Sequence, residues 1–401
     1  MTICDLSSFY CEKGGGVTTY HRARLDWFAR QTRHRYVLVS PGSRTRVRQL
    51  APTVWTAQVS GPRASRDPDR YRLLVDYRGV GAAVERFAPD VLETHDPWFS
   101  LPMGLMLRFR GPYRGLLTTV CHSDPMRTYL QPWLAAWTRQ PSAATRFADW
   151  ADRQLHRQHA ACHAVFAASD AMVRRLADAG LTRVTKIGFG VDPGLLRLVP
   201  RRRPADARRV LYAGRLDDDK EFGLVLGILP RLLARQDVRV TIAGAGKHAP
   251  AVAAFAHPRL RYLGHLADRT AMRALYACHD VLLAPGRYET FGLSALEGAA
   301  AGLVVVGPSG GGTGELLGEC GSDLMFTPGC PESFLDRVGA ALDGDHVDLV
   351  RRGRRVASQF GTWSDAIARH VAVYESLLGE PVPEPARSSG SPVRTTVPAE
   401  T

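Results

Sequence analysis

Two stretches of the chain hold residue types suited to an anionic, hydroxyl-rich ligand. In Tyr212-Ala213-Gly214-Arg215-Leu216-Asp217-Asp218-Asp219-Lys220 an apolar run, readable as a strand, delivers a glycine, a guanidinium and then an ammonium to one edge. Two fixed cations at a strand end can give charge-assisted hydrogen bonds to different oxygens of a diphosphate. The same residues also fit a plainer role, two surface cations balancing the three aspartates. The second stretch is Glu289-Thr290-Phe291-Gly292-Leu293-Ser294-Ala295-Leu296-Glu297, just after a strand and its Pro285-Gly286 turn. Gly292 stands near a helix start and Gly302 closes it. The first turn of such a helix offers unpaired N–H groups and partial positive charge to an anion. Glu289 and Glu297 are carboxylates of the kind that grip vicinal hydroxyls of a sugar or ribose. Glu297 equally fits a capping box with Ser294.

The elements needed to position these groups read as alternating strands and helices. The opening strand leads into Gly14-Gly15-Gly16 and an amphipathic helix through Tyr20, Leu25, Trp27 and Phe28, then a strand over Tyr36 to Ser40. Val91 to Thr94 and Gly115 to Val120 are apolar runs that end in His95-Asp96-Pro97 and His122-Ser123-Asp124, so two strand ends each present a histidine and an aspartate. This alternation predicts parallel α/β units, whose ligands collect beyond strand C-termini. Gln131 to Gly180 reads as mainly helical, with Trp133, Trp137 and Trp150 on apolar faces. Core packing is the expected role of Trp133 and Trp137, with an acceptor or membrane-surface face as the alternative. Asp124 is expected to cap the helix that follows.

Prolines bracketing three arginines at Val199 to Pro204 mark an interdomain linker, after which strands and helices resume up to Val306 and beyond. The expected architecture is α/β, two Rossmann-like domains with parallel sheets facing a central cleft. Residues 1–199 form the first, completed by a C-terminal helix at about 361–378, and 205–360 form the second. Residues 380–401, rich in Pro, Ser, Gly and Thr, read as a disordered tail.

Taken together, Gly214-Arg215-x4-Lys220 and Glu289-x7-Glu297 in YETFGLSALEGAAAG resemble the retaining glycosyltransferase family 4 with the GT-B fold, with bacterial mannosyltransferases as the nearest kind. Gly14 to Gly16, the histidine of TTVCHSD and Gly188-Phe189-Gly190-Val191-Asp192 fit as well, so the resemblance spans residues 1 to about 378. It implies transfer of a hexose from a nucleoside diphosphate sugar, GDP-mannose or a UDP-sugar, to an acceptor hydroxyl, in envelope or lipid-linked glycan synthesis. It further implies that Arg215 and Lys220 hold the diphosphate, Glu289 the transferred sugar and Glu297 the ribose. The amides of Phe291, Gly292 and Leu293 would complete the phosphate site. Gly15, Gly16 and Gly214 would permit close approach, Gly244 and Gly246 would pack near the nucleotide with Lys247 a further contact, and His122 would orient the sugar. Thr290-Phe291 departs from the family's commoner Gly-Phe, which bears on donor fit. The resemblance implies no cofactor and no metal, and Asp217 to Asp219 read as a solvated loop.

Composition narrows the alternatives. The chain has 401 residues, 45% hydrophobic and 23% charged, proportions that exclude global disorder, collagen and coiled coil. The longest apolar stretch, around Ala299 to Gly307, is too short for a membrane span. Met1 to Cys11 has no basic leader or long apolar core, so a cytoplasmic protein is expected, with peripheral association at the inner membrane face. Seven scattered cysteines without a C-x-x-C pair argue against a disulfide framework or zinc site. The +13 net charge is uneven: residues 1–200 hold 28 Lys+Arg against 16 Asp+Glu (+12), and residues 201–401 hold 24 against 23 (+1). Such a field favours an anionic membrane or phosphorylated acceptor, although 48 Arg against 4 Lys also reflects a compositional bias. A sugar-nucleotide epimerase or hydrolase on the same architecture is the rival reading. A nucleic-acid-binding protein is a second one, and no basic helix with interleaved aromatics supports it.

Overall fold

The computed structural model describes residues 1–11, 14–30, 33–64, 71–198 and 208–379. The linker expected at Val199 to Pro204 and the tail from Glu380 lie outside these residues. Two sheets organise the chain. The first contains β1 (Thr2–Leu6), β2 (Arg35–Gly42), β3 (Arg46–Ala51), β4 (Val54–Ser60), β5 (Val91–Thr94), β6 (Leu116–Cys121), β7 (Ala164–Ala167) and β8 (Val184–Lys186), in the order β3-β4-β2-β1-β5-β6-β7-β8. All neighbours are parallel except β3 and β4. The antiparallel hairpin went unforeseen because β3, RVRQLA, is an exposed edge strand with no apolar alternation to betray it.

The second sheet contains β9 (Arg208–Ala213), β10 (Val238–Ala243), β11 (Leu260–Tyr262), β12 (Val281–Leu283), β13 (Val304–Pro308) and β14 (Met325–Phe326), ordered β11-β10-β9-β12-β13-β14 and parallel throughout. β1, β5, β6 and β12 are buried along their whole length, the signature of strands covered by helices on both faces. Parallel strands joined by helices wind outward in both directions from a reversal point, and a crevice opens at the strand C-termini there. In the first sheet the reversal falls between β1 and β5, in the second between β9 and β12. Residues 7–11, Gly14, Gly15, His95, Gly214–Lys220 and Pro285–Gly292 all follow those strands and are therefore brought to the two crevices.

The helix Trp363–Gly379 returns to the first sheet, where Ile367, Val371 and Tyr374 pack with Phe28, Tyr36 and Phe166. Between the sheets, Phe189 meets Phe291 edge-on at 4.7 Å and stacks on Trp363 at 5.7 Å. Gly190 is obligatory at this junction, since a Cβ would lie 2.1 Å from the Trp363 nitrogen.

Beneath the first crevice lies a buried polar network. Arg24 is fully buried, and its guanidinium bonds Glu93 Oε1 at 3.0 Å, Asp5 Oδ1 at 3.2 Å and the Tyr20 hydroxyl at 2.6 Å. Tyr36 and Tyr374 donate to Asp5 and Glu93 at 2.6 and 2.5 Å. Burial alone would raise both carboxyls, but Arg24 and the neighbouring histidines outweigh it, holding Asp5 well below its ordinary value and Glu93 at about 2.

None of the seven cysteines is in a disulfide, and four of them are buried. Trp133, Trp137 and Trp150 are not core residues: they are 61%, 73% and 50% exposed. Helical spacing shows that a helix has an apolar face but not that anything covers it.

Candidate active site

A cleft of about 570 Å³ separates the two sheets, lined from the first side by Gly14, Gly15 and Trp27 and from the second by Gly214, Arg215 and Glu297. Two helices begin at its edge. Helix Gly16–Arg30 starts at the turn after β1, and helix Leu293–Ala301 starts at Gly292, which takes the left-handed φ of +80°. A Cβ on Gly16 would lie 4.0 Å from Leu293 Cδ2, so the two amino ends converge. Each contributes first-turn N–H groups without intrahelical partners and partial positive charge.

Arg215 stands beside them, 3.7 Å from where a Cβ on Gly15 would be. Its guanidinium bonds Asp217 at 2.9 Å and also Asp219. Burial opposes its charge, and Asp219 and Asp217 more than offset that, so it is held protonated above its ordinary value. The acidic turn thus does not gather its carboxylates at one point: Asp218 instead takes Lys247 and His248, at 2.5 and 2.6 Å. Lys247 is thereby committed to Asp218 rather than to the cleft. Asp219 is further approached by the Tyr129 hydroxyl at 3.5 Å.

Lys220 places its ammonium 2.5 Å from Glu289 Oε1, both side chains about a quarter exposed. The turn carrying Glu289 is held by its neighbours, since Gly312 N donates to the Glu289 carbonyl at 2.7 Å. Glu297 sits on the cleft wall, where the Tyr276 hydroxyl donates to it at 2.9 Å. Burial raises its carboxyl to about 7, with the Tyr276 bond pulling the other way. The capping box with Ser294 is not formed: Gly292 is the cap residue, without a side-chain bond, and Ser294 lies within the helix.

Two glycines act through close packing. Gly244 has φ +149° and a Cβ there would fall 1.8 Å from the Gly214 carbonyl oxygen, so β9 and β10 meet at the cleft only with glycine at that position. Gly246 sits against Leu216 and Asp217 rather than on the cleft wall. Phe291 is likewise buried, its ring between Phe189 and Phe360.

His122 is half-buried at the end of β6, its Nε2 2.8 Å from His95 Nδ1. His95 Nε2 in turn lies 3.3 Å from Asp5 Oδ2 and 3.5 Å from Glu93 Oε1. With carboxylates at that nitrogen, His95 is best satisfied carrying its proton there and accepting at Nδ1 from His122. Burial first, then the neighbouring imidazoles of His95 and His21, push His122 well below its ordinary value, so it is neutral near pH 7. Sequence reasoning noted His95 only as a strand end. Asp192 stood out only as the end of its Gly-Phe-Gly-Val-Asp motif, whereas its carboxylate takes Arg273 Nε at 2.7 Å and Nη2 at 2.8 Å on the cleft wall. No local signal foretold that pair, as its members are 81 residues apart. Asp124 caps as expected, accepting from Arg127 N at 3.3 Å, and additionally pairs with Arg175.

Comparison with known proteins fits this geometry. Residues 14–195 match the family described as Glycosyltransferase Family 4, and residues 207–344 match glycosyl transferases group 1. A GDP-mannose-dependent alpha-(1-6)-phosphatidylinositol dimannoside mannosyltransferase of Mycobacterium tuberculosis is 28% identical over 94% of this chain and 97% of its own length. A glycogen synthase of the same species is 30% identical over 62% of this chain and 64% of its own. Among solved structures, a sucrose-phosphate synthase from Thermosynechococcus elongatus superposes with a TM-score of 0.74 at 16% identity, over 94% of this chain and 99% of that one. The two sheets, their crevices and the sequence likeness of both halves lead to one conclusion: the chain is a glycosyltransferase built on the GT-B fold, its first half of the family 4 kind.

Proposed function

We propose that the protein moves a hexose from a nucleoside diphosphate sugar to an acceptor hydroxyl with retention of anomeric configuration, GDP-mannose being the favoured donor and a UDP-sugar the alternative. The product belongs to envelope or lipid-linked glycans, made at the cytoplasmic face of the membrane. The observation that supports the reading is that Arg215, the Lys220–Glu289 pair and the amino end of helix Leu293–Ala301 all follow β9 and β12, the strands that flank the second crevice, with Arg215 beside Gly15 and Leu293 beside Gly16. The full-length relative named for GDP-mannose supports the donor.

Breaking the anomeric bond moves an electron pair onto the diphosphate. Groups already placed where that charge develops lower the barrier. Arg215 and Lys220 take the departing phosphates, aided by the N–H groups of Phe291, Gly292 and Leu293. Glu289 gives up Lys220 and holds hydroxyls of the transferred sugar, Glu297 takes the ribose, and neutral His122 orients the sugar from the opposite domain. The departing phosphate oxygen accepts the proton of the acceptor hydroxyl on the same face, so no protein general base is assigned. With two cations and a helix terminus serving the diphosphate, the reaction needs no metal.

Calorimetric titration with GDP, UDP and ADP identifies the base, and incubation of the matching nucleotide sugar with acceptors, with and without a chelator, tests the rest. Transfer with retention, undiminished by the chelator, is expected. Mere hydrolysis or epimerisation of the donor with every acceptor overturns the reading.

A further inference from the structure

We infer that the hairpin formed by helices Gln131–Thr138 and Pro141–Ala160 is a docking surface for an anionic lipid bilayer, one that lays the cleft against the headgroups. The inference rests on the proposed use of a lipid-linked acceptor, but its observations are independent of that chemistry.

Helix Gln131–Thr138 is QPWLAAWT: it contains no charged residue, and none of its residues is buried. It is joined to the longer helix by a bond from Gln131 Nε2 to Thr145 Oγ1 of 2.9 Å. Trp133 and Trp137 stack face to face at 5.9 Å with 8° between their planes, and they are the two most exposed of the large hydrophobic side chains. Phe147 and Trp150, 5.3 Å apart on the second helix, are each about half exposed. Among the described residues, seven large aromatic side chains are exposed, and Tyr129, Trp133, Trp137, Phe147 and Trp150 are five of them. Apolar side chains scattered singly over a surface are ordinary; this clustering on one excursion from the fold is not.

Charge selects the occupant. Residues 126–160 carry Arg127, Arg139, Arg146, Arg153 and Arg157, all exposed, against Asp149 and Asp152, and Asp152 is bound to Arg175 at 2.7 Å. A second copy docking through the same surface would set cationic patch against cationic patch. An anionic bilayer satisfies both features, since tryptophan settles at the headgroup level and arginine meets lipid phosphate. No helix among the described residues is long and apolar enough to cross a membrane, so attachment of this kind would be peripheral. Position completes the argument. The helical turn Met126–Leu130 that leads into the hairpin begins four residues after His122, and its Tyr129 reaches Asp219, the carboxylate that holds Arg215. A bilayer beneath the hairpin therefore brings a headgroup-borne hydroxyl to the mouth of the cleft.

The test is co-sedimentation of the full chain with vesicles of phosphatidylglycerol and phosphatidylcholine, and of phosphatidylcholine alone, without any donor. Binding to the anionic vesicles, at least tenfold weaker to the neutral ones, is expected. In Trp133→Ser/Trp137→Ser binding to the anionic vesicles should fall at least tenfold, while nucleotide affinity and melting temperature stay as in the parent. Equal binding to both vesicle types, no binding to either, or full binding by the double variant overturns the inference. So does a concentration-dependent dimer that the double variant abolishes, because a second copy would then cover the face. Nucleotide titration of the same samples reads the proposed chemistry separately, so failure of one is distinguishable from failure of the other.

Discussion

Thr290 donates its hydroxyl to the backbone carbonyl of His122 at 2.8 Å, linking the turn before helix Leu293–Ala301 to the end of β6 in the opposite domain. The family's usual glycine at this place has no hydroxyl to give. The departure noted in the sequence is thus a contact between domains. A neutral hydrogen bond of this kind contributes about 1 kcal/mol to holding the two domains together. Thr290→Val should lower kcat/KM for the donor about fivefold, and Thr290→Ser should restore most of it. An unchanged Thr290→Val enzyme would show that the link plays no part in turnover.

The Lys220–Glu289 pair is part exposed, so its worth to stability is small, about 0–1 kcal/mol. Its worth to turnover is expected to be large. Lys220→Ala and Glu289→Ala should each reduce transfer at least a hundredfold, with melting temperatures within a few degrees of the parent. Since the two side chains touch, the double variant should lose less than the product of the single losses. Steady-state kinetics of the four proteins checks this, and full transfer by either single variant would remove that residue from the site.

Glu297 makes a pH signature. Its carboxyl is raised to about 7 in the folded protein against 4.5 ordinarily, chiefly by burial. Between those values the unfolded chain ionises while the native state keeps its proton, so native stability falls as pH rises from about 4.5 to 7 and levels off above. Melting temperatures of the parent and of Glu297→Gln, followed over pH 4 to 8, should converge at low pH and separate through that window. Parallel curves would deny the raised carboxyl.

Arg24 sets the opposite dependence. Asp5 and Glu93 are depressed, so their contribution is present above the ordinary carboxylate range and lost as pH falls through it towards 2. Arg24→Met removes the cation between two buried carboxylates and should cost about 3–5 kcal/mol. Chemical denaturation at pH 7 measures it. A loss below about 1 kcal/mol would mean that the tyrosines and histidines alone satisfy Asp5 and Glu93.

The sequence alone determined the alternation of strands and helices, and with it the delivery of Gly214 and Arg215 to a strand end and of Gly292 to a helix start. Those are local outcomes: a strand that ends in Gly-Arg and a helix opened by glycine depend on neighbours a few residues away. Tertiary structure decided what lies across from them. Lys220 meets Glu289 from 69 residues away and Thr290 meets His122 from 168, separations at which no periodicity speaks. It likewise decided that Glu297 bonds Tyr276 instead of capping its own helix, because only packing brings that hydroxyl near. It decided, finally, that Trp133 and Trp137 face outward. Hydrophobic spacing records which side of a helix is apolar, whereas burial depends on whether another element arrives to cover it.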